Sequence, residues 1–183
     1  MTQTPNTGYV SAKVLRINVG FILAETIGFN RETEFNVPSL LKVSDDLMLG
    51  HFYATLRLSK TRDGLLIQGK VETSVFDECS RCTDDVSIPI EFEIEELFAT
   101  NENLETEYRV DETGILDLAP LVREEAMINR PMTTPTNEDG RCMFCNRTMR
   151  DVMRDNGLLD DIDPRFEALR ALRDQLQDDD DEK

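Results

Sequence analysis

The chain has 183 residues, no tryptophan, a single histidine (His51), and 37 acidic against 20 basic side chains, a formal net charge of −17. That charge repels nucleic acid over most of the surface, so contact with RNA requires a local basic face, and a basic protein is the simpler partner. Residues 1–20 lack a secretory pattern and no apolar run reaches membrane-spanning length, which excludes a membrane role and predicts a cytoplasmic chain with reduced thiols.

The length suits a single domain over residues 9–176, between a flexible N-terminus (1–8) and a disordered acidic tail (177–183). Residues 17–26 are apolar and short, a short helix or irregular strand with Gly28 where a C-cap would sit. Residues 31–37 predict an edge strand ended by Pro38. Phe52, Ala54, Leu56 and Leu58 then alternate with period 2, and Asp63-Gly64 closes a turn into a second strand carrying Leu65, Ile67, Gly69, Val71 and Val75. A third strand has Val86, Ile88, Ile90, Phe92 and Ile94 inward, with Ser87, Glu91, Glu93 and Glu95 outward. This is an antiparallel meander with one packed and one acidic face.

After Glu95 the chain becomes acidic and poor in apolar residues, predicting a long exposed loop over 99–111. Asp117 caps a helix with Leu118, Leu121, Val122 and Glu125 at amphipathic spacing, stopping before Pro131. Residues 131–140 read as a polar loop, and 147–156 as a helix closed by Gly157. Asp163-Pro164 opens a last helix with Phe166, Leu169, Leu172 and Leu176 on one side, read as packing ahead of docking.

The chemistry lies in the cysteines. They form two pairs of one pattern, Cys79-Ser80-Arg81-Cys82 and Cys142-Met143-Phe144-Cys145, and there is no fifth. A C-x-x-C on a tight turn sets two sulfurs close enough to share an ion, and two such pairs supply the four thiolates of a closed zinc site. Disulfides, redox use and unrelated buried thiols are the competing readings. Asn146 follows the second pair, where a zinc knuckle wants a left-handed residue. Four thiolates leave no open position, so one structural Zn2+ is expected, held by Cys79, Cys82, Cys142 and Cys145. Arg81, Arg141, Arg147, Arg150 and Arg154 cluster around the same cysteines; they are weak RNA-contact candidates, weighed against a salt-bridged surface. No acid pair is singled out for catalysis, His51 has no Ser or Cys beside it in sequence, and no phosphate-cradling or hydrolase motif occurs, so no enzyme is expected.

These residues resemble a bacterial family, YceD, also described as the large ribosomal RNA subunit accumulation protein family. The resemblance runs from about Ile17 to Gln177. It rests on Asp63-Gly64 and Gln68-Gly69-Lys70-Val71, the first cysteine pair, the strand ending Glu95-Glu96-Leu97-Phe98, and the helix from Ile115 to Glu125. Gly140-Arg141-Cys142-Met143-Phe144-Cys145-Asn146 and Asp163-Pro164-Arg165-Phe166 complete it. The chain departs from the family in having Arg141 for Leu, Asn146 for Gly, and no extra cysteines in 131–139.

The resemblance implies a role in production or stability of large-subunit ribosomal RNA, without a defined chemical activity. It also implies partners among ribosomal RNA precursors or basic large-subunit ribosomal proteins, with no small-molecule substrate. Together the readings predict an α+β fold, mainly an antiparallel meander or open barrel-like sheet with short helices, stapled by the four-cysteine zinc site. The alternative function is a zinc-thiol redox-responsive binding protein.

Overall fold

A computed structural model describes residues 8–101 and 104–158. The predicted N-terminal tail up to residue 7, the helix opened by Asp163-Pro164 and the acidic tail lie outside the described residues. The chain packs as two units. One comprises the described residues up to Glu78 together with Asp85–Met132; the other comprises Cys79–Asp84 together with the described residues from Thr133.

The first unit is built on the meander. Strands β1 (Val10–Ser11), β2 (Arg16–Asn18) and helix α1 (Gly20–Ala24) precede β3 (Asn30–Val37) and β4 (Leu41–Lys42). Three long strands follow, β5 (Met48–Lys60), β6 (Gly64–Glu78) and β7 (Asp85–Ala99), then β8 (Ile115–Asp117) and helix α2 (Ala119–Asn129). The main sheet is six-stranded; β6 lies between β5 and β7, while β3 and β4 pair in tandem with the other side of β5. β1 adds to β4 in parallel, and β2 pairs with β8 in a separate two-stranded sheet. The fold is therefore α+β with a mostly antiparallel sheet, as its period-2 pattern requires, and the outer strands of that sheet are β1 and β3 on one side and β7 on the other.

Alternation sets the packed face. Val86, Ile88, Ile90, Phe92 and Ile94 are buried along β7, and the residues between them face solvent. On β5 the buried set is Leu49, then Phe52, Ala54, Leu56 and Leu58. The change of phase is a bulge between Leu49 and Phe52. Gly50 sits there because a Cβ would come within 2.3 Å of Ser74 Oγ. Leu15, Val19, Ile22, Leu116, Leu118, Leu121 and Val122 close over the sheet's inner face in the same core. Each such side chain contributes about 1.5–3 kcal/mol by leaving water.

The short predicted helix is Gly20–Ala24, with β2 ahead of it; Gly28 lies beyond, in a turn at φ +92° whose N–H bonds to Lys60. Asp117 Oδ1 accepts from Ala119 N–H at 3.0 Å at the start of α2, and the helix stops before Pro131. The predicted exposed loop after Ala99 is partly packed: Tyr108 and Val110 rest against the core, and Arg109 bridges to Ala99. Among the described residues, no helix is long and apolar enough to cross a membrane.

Candidate metal centre

The connection between β6 and β7 holds the first C-x-x-C, which opens the second unit's first segment, Cys79–Asp84. Two hydrogen bonds shape it. Thr83 N–H donates to Cys79 C=O at 2.9 Å, and Cys79 N–H donates to Asp84 C=O at 2.8 Å. The chain can close so tightly because Thr83 adopts φ +59°.

The second pair repeats this construction. Asn146 N–H donates to Cys142 C=O at 2.9 Å, Cys142 N–H donates to Arg147 C=O at 3.0 Å, and Asn146 has φ +54°. The sequence identifies Asn146 as the left-handed residue, since Asn tolerates that region. Thr83 is the counterpart that it hides, because a β-branched residue is a poor candidate for positive φ. The legible signal is positional: each stands directly after the second cysteine of its pair.

The two knuckles bring their sulfurs together. Cys79 Sγ lies 3.7 Å from both Cys142 Sγ and Cys145 Sγ. Cys79, Cys82 and Cys145 have sulfurs all within 4.8 Å of one another. A sulfur tetrahedron around zinc, with Zn–S of about 2.3 Å, has edges of about 3.8 Å, so the spacing suits a shared ion. It is far longer than a disulfide bond of about 2.05 Å, and all four thiols are free. Cys79 and Cys142 are buried, Cys82 and Cys145 half-buried.

Electrostatics favour a cation here. Burial raises Cys79, but the backbone N–H groups of Cys82 and Arg81, the Thr134 hydroxyl and the Cys82 thiol outweigh it and bring its pKa down to about 6. The Asp84 backbone N–H draws Cys82 down, yet the Asp84 carboxylate, burial and the Cys145 and Cys79 thiols push it up to about 12. Cys142 is raised by burial and by the Cys145 and Cys79 thiols, against the backbone N–H groups of Cys145 and Phe144. One thiolate thus forms readily and opposes its neighbours; a dication held by these cysteines would remove that opposition and displace the remaining protons.

The surrounding residues hold the knuckles. Arg81 Nη1 donates to Gly140 C=O at 2.6 Å and Arg147 C=O at 3.1 Å, bracing the first knuckle against the second. Ser80 N–H donates to the buried Thr134 Oγ1 at 2.9 Å. A turn at Asn137–Gly140 leads into the second pair: Gly140 has φ +71°, and Arg141 N–H bonds to Asn137 Oδ1 at 2.8 Å. Helix α3 (Met149–Asp155) follows with a reciprocal cap between Thr148 and Asp151, and Gly157 closes it at φ +71°.

Arg147 therefore precedes the helix instead of sharing a helical face with Arg150 and Arg154. Arg141 and Arg154 lie 3.5 and 3.7 Å from Asp151, and Arg147 lies 3.6 Å from Asp155. Arg150 alone of the five has no hydrogen bond or ion pair among the described residues. His51 Nδ1 lies 3.3 Å from Ser74 Oγ across the β5–β6 pairing, a neighbour that sequence spacing conceals. The His51 ring also lies 5.2 Å from that of Tyr53, centroid to centroid.

Residues 67–173 match the family model described as large ribosomal RNA subunit accumulation protein YceD. No curated protein and no solved structure matches the chain significantly.

Proposed function

We propose, from the premise that the chain belongs to the YceD family, that it is a non-enzymatic accessory factor in the accumulation of large-subunit ribosomal RNA. Its zinc would be structural. Cys79, Cys82, Cys142 and Cys145 would hold one ion, and four thiolates make it a staple of shape, not a Lewis acid. The observation that carries the reading is the pair of equivalent knuckles with facing sulfurs, within a chain of that family. The protein works by binding, and the Arg150 side of α3 is its candidate for contact with RNA phosphate.

Two measurements test this. Elemental analysis of the purified protein is expected to give one zinc per chain in the wild type and much less in Cys142→Ser. In sucrose gradients the wild type is expected with immature large subunits, and depletion is expected to lower large-subunit RNA. A metal-free folded protein with four reactive thiols would refute the zinc centre. A protein that stays at the top of the gradient, with unchanged RNA on depletion, would refute the ribosomal role.

A further inference from the structure

Among the described residues β6 is the one strand that pairs with β7, whose other side meets only the bridge from Ala99 to Arg109, and the β6–β7 register runs without a shift from Gly64↔Ala99 to Glu78↔Asp85. Backbone direction therefore alternates strictly along it. Ala99 fixes the phase. Its N–H donates to Tyr108 C=O at 3.0 Å and its C=O accepts from Val110 N–H at 3.1 Å, away from β6. Pro89, with no N–H to donate, falls in the same phase opposite Ser74, where the ladder loses nothing. Ser87, Glu91, Glu93 and Glu95 share that phase, so their N–H and C=O groups point outward. Among the described residues, no backbone hydrogen bond reaches those groups.

The side chains of the same residues are exposed on the solvated face. Lys70 pairs with Glu93 at 3.5 Å and Gln68 donates to Glu95 at 3.0 Å, but Glu91 stands opposite Glu72, like charge against like. Such an arrangement is unfavourable until a cation joins it. A second copy of β7 would set these glutamates against their own kind, which blocks edge-to-edge self-pairing. A basic strand meets no such barrier, and RNA carries the wrong sign.

We infer that the free edge of β7, from Ser87 to Glu95, receives an extended lysine- and arginine-rich segment of another polypeptide as an added strand. Main-chain hydrogen bonds supply the pairing. Alternate basic side chains of the segment lie beside Glu91, Glu93 and Glu95, and its intervening apolar side chains continue the face of Ile90, Phe92 and Ile94. The inference rests on the binding role proposed above and specifies one partner chemistry for it.

The test is titration of the zinc-loaded full chain with a synthetic peptide of about 12 residues alternating Lys or Arg with Val or Ile, read by amide NMR shifts and calorimetry. Shifts are expected at Ser87, Glu91, Glu93 and Glu95. N-methylation of alternate peptide amides on the pairing side is expected to weaken binding at least about tenfold, because it removes the hydrogen bonds and leaves the charge. Glu93→Gln reports the charge alone. Glu93→Pro also removes an outward donor while sparing the β6 ladder, as Pro89 does, and is expected to bind more weakly than Glu93→Gln. Binding that ignores N-methylation, shifts confined to Asp178–Glu182, or no binding at all would overturn the inference. None of these outcomes depends on ribosome sedimentation, so the two proposals fail separately.

Discussion

Thr83 and Asn146 occupy the same place in the two knuckles with nearly the same positive φ, yet they differ in what that conformation costs. Left-handed backbone is unfavourable by about 1–2 kcal/mol for ordinary L-residues, less for Asn and not at all for Gly. A hydrogen bond of 2.6 Å from Thr83 Oγ1 to Cys82 C=O offsets part of the threonine's penalty. Thr83→Gly is expected to stabilise the zinc-loaded protein by about 1 kcal/mol, and Asn146→Gly by less than half as much, in urea unfolding. A Thr83→Gly protein less stable than wild type would mean that the hydroxyl matters more than the backbone. Cys142→Ser acts in the opposite direction. It removes a buried thiol that the proposed zinc would use, and because structural zinc is folding energy, a loss of several kcal/mol is expected. Zinc content and unfolding midpoint should fall together; an unchanged midpoint would show that the staple carries no stability.

Among the elements, β5, β6 and β7 were legible because β7 alternates from Val86 to Ile94, β5 from Phe52 to Leu58 and β6 places Leu65, Ile67 and Val71 at period-2 spacing, each burying the face its pattern names. The two- and three-residue strands β1, β2, β4 and β8 were not, since pairing across the chain defines them and they have no period of their own. The bulge at Gly50 hid for the same reason. Its contacts with Ser74 and the Phe76 ring explain the glycine. Of the candidate site, the four cysteines and Asn146 were legible from spacing, whereas Arg81's hold on Gly140 and Arg147 depends on meetings 59 and 66 residues away in sequence. Gly69 is a case where the pattern concealed a constraint. It occupies an inward position between Ile67 and Val71, but a Cβ there would lie 2.0 Å from Thr55 C=O. Gly69→Ala is thus expected to cost about 2 kcal/mol or more in thermal unfolding, with neutrality excluding the close approach. A second element-scale expectation concerns the β4–β5 turn, tied to α2 by Asp46 and Arg123. The Arg123 guanidinium, then the Ser44 hydroxyl, hold the Asp46 carboxyl well below the usual range. Its stabilisation is complete above the unfolded value near 3.8 and disappears as pH falls toward the folded one. Urea midpoints of wild type and Asp46→Asn should therefore converge below about pH 4, and parallel curves would deny the link.

At the scale of the whole molecule the two units differ in what holds them. The contiguous apolar core, from Leu15 to Ala126, includes no described residue of the cysteine unit. Among that unit's described residues, only Cys79, Cys142 and Thr134 are buried, α3 buries nothing, and Met143, Met149, Met153 and Leu158 stay exposed. So little burial among the described residues calls for a cross-link to hold them in place. Among that unit's described residues, five arginines are matched in number by Asp84, Glu138, Asp139, Asp151 and Asp155, so that part has no net charge, whereas β7 presents Glu91, Glu93 and Glu95 to solvent. The staple and the acidic sheet are accordingly separate devices. Chelation of the purified protein is expected to expose the amides of residues 133–158 to rapid hydrogen exchange, while β5, β6 and the greater part of β7 keep their protection. The core supplies the sheet with burial that no metal provides. Cooperative loss of both units on chelation would instead make zinc a condition for the sheet itself, and protection retained in both would remove the metal from the account of stability.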